Sequence, residues 1–167
     1  LQHKVVVITG SSSGIGQHLA IRFAQEEARV VINYKKNKKG AKETLAQVEK
    51  LGQEGLIVQA DVSRPEDIEK LFSTVINHFG VIDILINNAA IGTDNAPFMR
   101  AKYADFLEMI NTNLIGPMLC SQHAVKIMQK QGYGKILFTS SVRGIEYGGR
   151  SPVYAATKAA INNFTKT

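Results

Sequence analysis

Tyr154 and Lys158, in the stretch YAATK, place a phenol and an ammonium four residues apart. On a helix that spacing puts both side chains on one face, one turn apart. A phenol ionises near pH 10, so at neutral pH it exchanges protons poorly on its own. An opposite charge within about 4–6 Å shifts such an equilibrium by roughly 1–3 units and makes the phenol a competent acid and base. An ordinary exposed helix turn would account for the same five residues, so the rest of the chain has to decide.

A second group with chemical potential is TGSSSGIG, Thr9 to Gly16. It follows a strand-like run and opens a helix-like one. Glycine tolerates positive φ and lets backbone approach a ligand closely. A helix N-terminus offers free N–H groups and the positive end of the helix dipole, which suits a pyrophosphate. The glycines stand at Gly10, Gly14 and Gly16, a G-x-x-x-G-x-G spacing in place of the commoner G-x-G-x-x-G. In its strand–turn–helix setting this pattern points to a dinucleotide; read alone it is only a turn.

The elements that must hold these groups alternate along the chain. KVVVIT (4–9), RVVINY (29–34), EGLIVQADV (54–62), IDILINNAA (82–90) and GKILFTSS (134–141) read as strands. Helical spacing fills residues 16–27, about 38–51 and 65–80, with Pro65 in the first turn and Gly80 as the stop. Two helices are expected within 101–131, and a last one starting near Ser151 or Pro152. Continuous apolar strands are covered on both faces, which argues a parallel, doubly wound α/β sheet in one domain spanning 1–167.

Composition agrees and excludes other classes. The 167 residues are 44% apolar and 20% charged, enough for one domain with a real core. No apolar run reaches the roughly 18–20 residues that span a bilayer, so no membrane is expected. The net charge of +6 could suggest nucleic acid, but the basic residues are scattered apart from YKKNKK, and no recognition-helix, RNP or zinc-ligand pattern goes with them. An anionic cofactor or substrate explains that cluster better. The one cysteine, Cys120, sits in an apolar helical pattern; a buried thiol and a reducing, cytoplasmic setting are expected.

In order and in register, TGSSSGIG, DV (Asp61–Val62), NNAA (87–90), NLIG (113–116), SS (140–141) and YAATK resemble the short-chain dehydrogenase/reductase family. The second strand, VVINY, is similar to that of its 3-oxoacyl-carrier-protein reductases and glucose 1-dehydrogenases. The resemblance implies a Rossmann-type fold and hydride transfer between a nicotinamide and a carbonyl or alcohol. It implies Tyr154 as the general acid and base, with Lys158 tuning it and binding the nicotinamide ribose. It further implies Ser141 on the substrate oxygen and Asn113 in a proton relay to Lys158. Cofactor contacts are implied at Gly10, Ser12, Ser13, Gly14, Ile15, Gly16, Tyr34, Lys35, Lys36, Asp61, Val62, Asn88 and Ala89, besides Tyr154 and Lys158. Asn87 would tie neighbouring strands together. Ala90 stands where the family commonly has glycine.

The end of the second strand bears on which nicotinamide cofactor is used. A carboxylate there normally binds the adenosine ribose and repels a 2′-phosphate. By the resemblance this position is Tyr34, followed by Lys35 and Lys36, so NADP is expected to be preferred, with NAD possible. Ser13, where NADP-preferring relatives often carry arginine, argues the other way. Asp61 would accept from the adenine amino group, or cap its own turn locally.

Relatives of this kind continue past a helix like the last one here, so the chain is expected to be incomplete at its C-terminus. The substrate is expected to be a small carbonyl or alcohol compound, an acyl-carrier-protein thioester or sugar among the candidates. Arg143 either faces it or lies on the surface; Glu146 and Tyr147 are further candidates. Homotetramers or homodimers are expected, packed through the helices of 101–131 and after 151. A metal is not expected. The alternative from another class is a non-catalytic dinucleotide sensor or scaffold of the same fold.

Overall fold

A computed structural model describes residues 1–92, 98–146 and 151–166. Five strands form one sheet: β1 (Val5–Ile8), β2 (Arg29–Tyr34), β3 (Gly55–Gln59), β4 (Ile84–Asn87) and β5 (Lys135–Phe138). Their order across the sheet is β3-β2-β1-β4-β5, and every pair is parallel. The chain therefore reverses direction across the sheet between β1 and β4. Cofactor crevices of open α/β sheets lie at the carboxyl edge of such a switch point.

The helices are α1 (Gly14–Gln25), α2 (Lys38–Lys50), α3 (Pro65–Phe79), α4 (Tyr103–Ile110), α5 (Gly116–Gln131) and α6 (Pro152–Phe164). Alternate strand residues feed two separate cores. Val5, Val7, Val31, Val58 and Leu85 pack with Leu71, Phe72 and Val75 of α3 and Cys120, Ala124 and Met128 of α5. Val6, Ile8, Val30, Ile32, Ile84 and Ile86 pack with Ala20 and Ala24 of α1 and Ala41 and Val48 of α2. Both faces of the sheet are covered, as the unbroken apolar strands required. The fold is the Rossmann-type doubly wound sheet.

Two expectations change. Every strand other than β2 is shorter than its apolar run, because the residues past each carboxyl end leave the ladder to form the site. The two helices of 101–131 are also not simply adjacent. A π-helical turn, Asn111–Ile115, joins α4 to α5 without a break, and Gly116 N–H reaches the Asn111 carbonyl. One extra residue in a turn is invisible to apolar periodicity. Such bulges occur often at functional sites.

Candidate cofactor and catalytic site

Thr9 leaves β1 at the switch point and organises it. Its hydroxyl accepts from the N–H groups of Asn88 (2.9 Å) and Ala89 (3.0 Å). Asn88 returns the contact, its amide donating to the carbonyls of Thr9 (3.0 Å) and Gly10 (3.2 Å). From β2, Asn33 accepts from Gly10 N–H (3.1 Å) and donates to Ala60 O (3.0 Å). The glycine turn is thus held from both sides by side-chain amides, Asn33 buried and Asn88 half-buried. Gly10 and Gly14 both adopt positive φ, +64° and +56°. At Gly16 a Cβ would collide with the Gly10 carbonyl and lie 2.6 Å from Asn88 Nδ2.

Above this turn opens a cleft of about 470 Å³. Every cofactor-side residue named from sequence lines it except Gly14, Tyr154 and Lys158. Ala90, Ile91 and Thr112 line it as well. The arrangement fits a dinucleotide: Gly10 and Gly16 stand where a Cβ would push the turn off the loop after β4, and the N–H groups of Ser12 and Ser13 have no acceptor among the described residues. No cluster of metal ligands occurs among the described residues.

The adenosine-side residues are less free than their sequence suggests. Tyr34 is buried, and its hydroxyl reaches Gln59 at 3.4 Å. Lys35 Nζ lies 2.8 Å from Asp61 and 3.6 Å from Glu108. Its hydrogen bond to Asp61 outweighs burial and holds the ammonium above the usual lysine range. Burial works against the Asp61 carboxylate, yet Lys35 and two hydrogen bonds from Ser63 together hold it below the usual range. Asp61 therefore makes the local cap as well as an ion pair that the sequence did not announce. Lys36 is exposed and forms no ion pair among the described residues.

At the other end of the crevice, α6 begins at Pro152 and presents Tyr154 and Lys158 one turn apart. Lys158 is 4% exposed. Its ammonium donates to the Thr139 carbonyl at 2.6 Å and lies 5.6 Å from the centre of the Tyr154 ring. Burial pushes that ammonium below the usual lysine range. The Ser140 hydroxyl reaches the Lys158 carbonyl at 3.4 Å. Ser141 follows β5 and caps the short 3₁₀ turn Val142–Gly144, accepting from Arg143 N–H at 3.2 Å. Arg143 and Glu146 are exposed, and Tyr147 lies outside the described residues.

Asn113 sits in the π turn, buried. Its amide oxygen accepts from Ile91 N–H and its amide nitrogen donates to Ile91 O, both at 2.8 Å. The same nitrogen lies 3.5 Å from Thr157, whose hydroxyl donates to Tyr154 O at 2.7 Å. The side chain is therefore committed to fixing the loop after β4 against α6. Asn87 ties β4 to the end of β5 through its main-chain carbonyl, which accepts from Thr139 N–H, while its amide donates to Ser121 on α5 (3.1 Å).

Sequence reasoning missed Thr9, Asn33 and Thr139. The first two carried a usable signal, being polar residues at the ends of otherwise apolar strands. Thr139 acts through its carbonyl, which no side-chain pattern marks.

Fold and crevice together define a Rossmann-type protein, with a Tyr/Lys pair one turn apart on α6. The family model described as short chain dehydrogenase matches residues 4–167, and the chain belongs to that family. It is 35% identical, over all 167 residues and 67% of the relative, to a 3-oxoacyl-[acyl-carrier-protein] reductase of Synechocystis sp.. Among solved structures, acetoin dehydrogenase from Enterobacter cloacae matches at 31% identity with a TM-score of 0.91, covering 99% of this chain and 68% of that one. Acetoin dehydrogenase YohF from Salmonella typhimurium matches at 29% and 0.91, covering 99% and 65%. The chain thus spans about two thirds of the length of these relatives.

Proposed function

We propose that the protein is an NAD(P)-dependent oxidoreductase that interconverts a carbonyl and an alcohol, with NADP(H) preferred. The observation that carries this reading is the buried Lys158 ammonium, anchored on Thr139 O and set 5.6 Å from the Tyr154 ring beside the cleft. When bound, a nicotinamide dinucleotide would supply or accept the hydride. Tyr154 gives the substrate oxygen its proton during reduction and removes it during oxidation. The Lys158 ammonium stabilises the phenolate form in a poorly solvated setting, where such a charge acts strongly. The Ser141 hydroxyl, its acceptor side occupied by Arg143 N–H, donates to the substrate oxygen and stabilises charge developing there. Asn113 takes part in a proton relay to Lys158, its buried amide held on Ile91.

The substrate is proposed to be a small ketone, a sugar or a carrier-linked 3-oxoacyl thioester, the last supported by the Synechocystis relative. A cytoplasmic homotetramer or homodimer is proposed, supported by the exposed apolar side chains of Tyr103 and Leu107 on α4 and Val125 on α5. No helix among the described residues is long and apolar enough to cross a membrane.

Absorbance at 340 nm, followed with NADPH and NADH against a panel of ketones and sugars, tests the reading. We expect oxidation of NADPH with higher kcat/KM. Lys36→Ala should lower the NADP:NAD ratio by about tenfold, the value of one charge-assisted contact. Lys35→Ala should change it less, because Asp61 and Glu108 already hold that cation. Equal or better use of NADH by the parent protein would reject the preference.

A further inference from the structure

We infer that Asn37 is a positioning residue for dinucleotide binding, one that ties the start of α2 to the glycine turn and aims that turn's N–H groups into the cleft. The inference rests on the reading that this cleft takes a nicotinamide dinucleotide.

Asn37 is the N-cap of α2, its amide oxygen accepting from Gly40 N–H at 3.0 Å. A serine would cap that helix equally well. The asparagine does a second thing that a serine is too short to do. Its amide nitrogen donates to the carbonyl of Ser12, 25 residues earlier, at 3.3 Å. Two turns on, the Thr44 hydroxyl accepts from Gln17 of α1 at 2.9 Å and shares its one proton between the Gly40 carbonyl at 2.9 Å and the Ser11 carbonyl at 3.1 Å. Helix α2 therefore claims two successive carbonyls of the glycine turn.

The direction of those carbonyls fixes the groups that matter. Described peptide bonds are all trans, so each N–H points opposite to the C=O of its own peptide unit. Holding the carbonyls of Ser11 and Ser12 toward α2 turns the N–H groups of Ser12 and Ser13 away from it. Both serines line the cleft, and neither N–H has an acceptor among the described residues. Donors left open at a helix start suit a pyrophosphate. The fit is close: at Gly40 any Cβ would collide with the Ser12 carbonyl and with Asn37 Nδ2. The turn carrying Lys35 and Lys36 is thereby coupled to the pyrophosphate turn, so the two ends of the adenosine diphosphate moiety meet one rigid surface.

The test compares Asn37→Ser with Asn37→Ala by calorimetric titration with NADP⁺ and NAD⁺, alongside thermal melting and steady-state kinetics. Both variants should bind either dinucleotide about five- to tenfold more weakly, the loss expected for one hydrogen bond with some loosening of the turn. Asn37→Ser should melt with the parent and keep its kcat at saturating cofactor, so that KM alone rises. Parent-like affinity in Asn37→Ser, with loss confined to Asn37→Ala, would reduce Asn37 to a helix cap and overturn the inference. So would a parallel fall of melting temperature and kcat in Asn37→Ser. A parent protein that binds neither dinucleotide would instead overturn the functional reading on which this one depends.

Discussion

Tyr154→Phe is expected to lower kcat by roughly three orders of magnitude while dinucleotide affinity stays as in the parent. The substitution removes one oxygen. It keeps the ring that Lys158 faces at 5.6 Å and leaves the backbone carbonyl on which Thr157 rests. Nothing that shapes the cleft depends on the hydroxyl, so the loss falls on proton exchange with the substrate oxygen. Calorimetric titration with NADP⁺ and single-turnover kinetics separate the two effects. Turnover retained in this variant would show that another group handles the proton.

Lys158→Met should be as damaging but in a different pattern. Methionine fills a similar volume without the charge. The Thr139 carbonyl then loses its 2.6 Å donor in a buried setting, which alone costs about 1–3 kcal/mol. The phenolate loses its neighbouring cation, and the ribose contact implied by the family resemblance goes as well. We expect kcat to fall by about two to three orders of magnitude and dinucleotide Kd to rise at the same time. A variant that lost affinity alone, with kcat intact, would confine Lys158 to cofactor binding.

The contrast between the two variants also shows what could be read without coordinates. Tyr154 and Lys158 were legible because i, i+4 spacing is a local property of a helix, and Pro152 marks where that helix starts. The glycine turn was legible for the same reason: Gly10 and Gly14 take the positive φ that their residue type permits. What escaped depends on contacts across the sheet. Lys35 reads as a free cation beside Lys36 until β3 brings Asp61, 26 positions later, within 2.8 Å. The grip of the Asn113 amide on Ile91, 22 positions earlier, likewise has no local signal. The strands looked longer than they are because the residues beyond the ladder, such as Thr9, Asn88 and Thr139, continue the run without a glycine or proline to mark its end. The π turn adds one residue to a helical repeat, too small a phase change to register in the pattern.

Cys120 has a consequence unrelated to catalysis. Its sulfur is wholly enclosed among α3, α5 and the strands beneath them, and burial pushes the thiol up to about 12. Only the thiolate attacks an alkylating dye. Access and ionisation are thus denied together until the core around α5 comes apart, and restored together when it does. A maleimide fluorophore added to the folded protein would therefore count opening events, one label per molecule for the chain's one cysteine, and would time them under any condition of interest without an engineered tag.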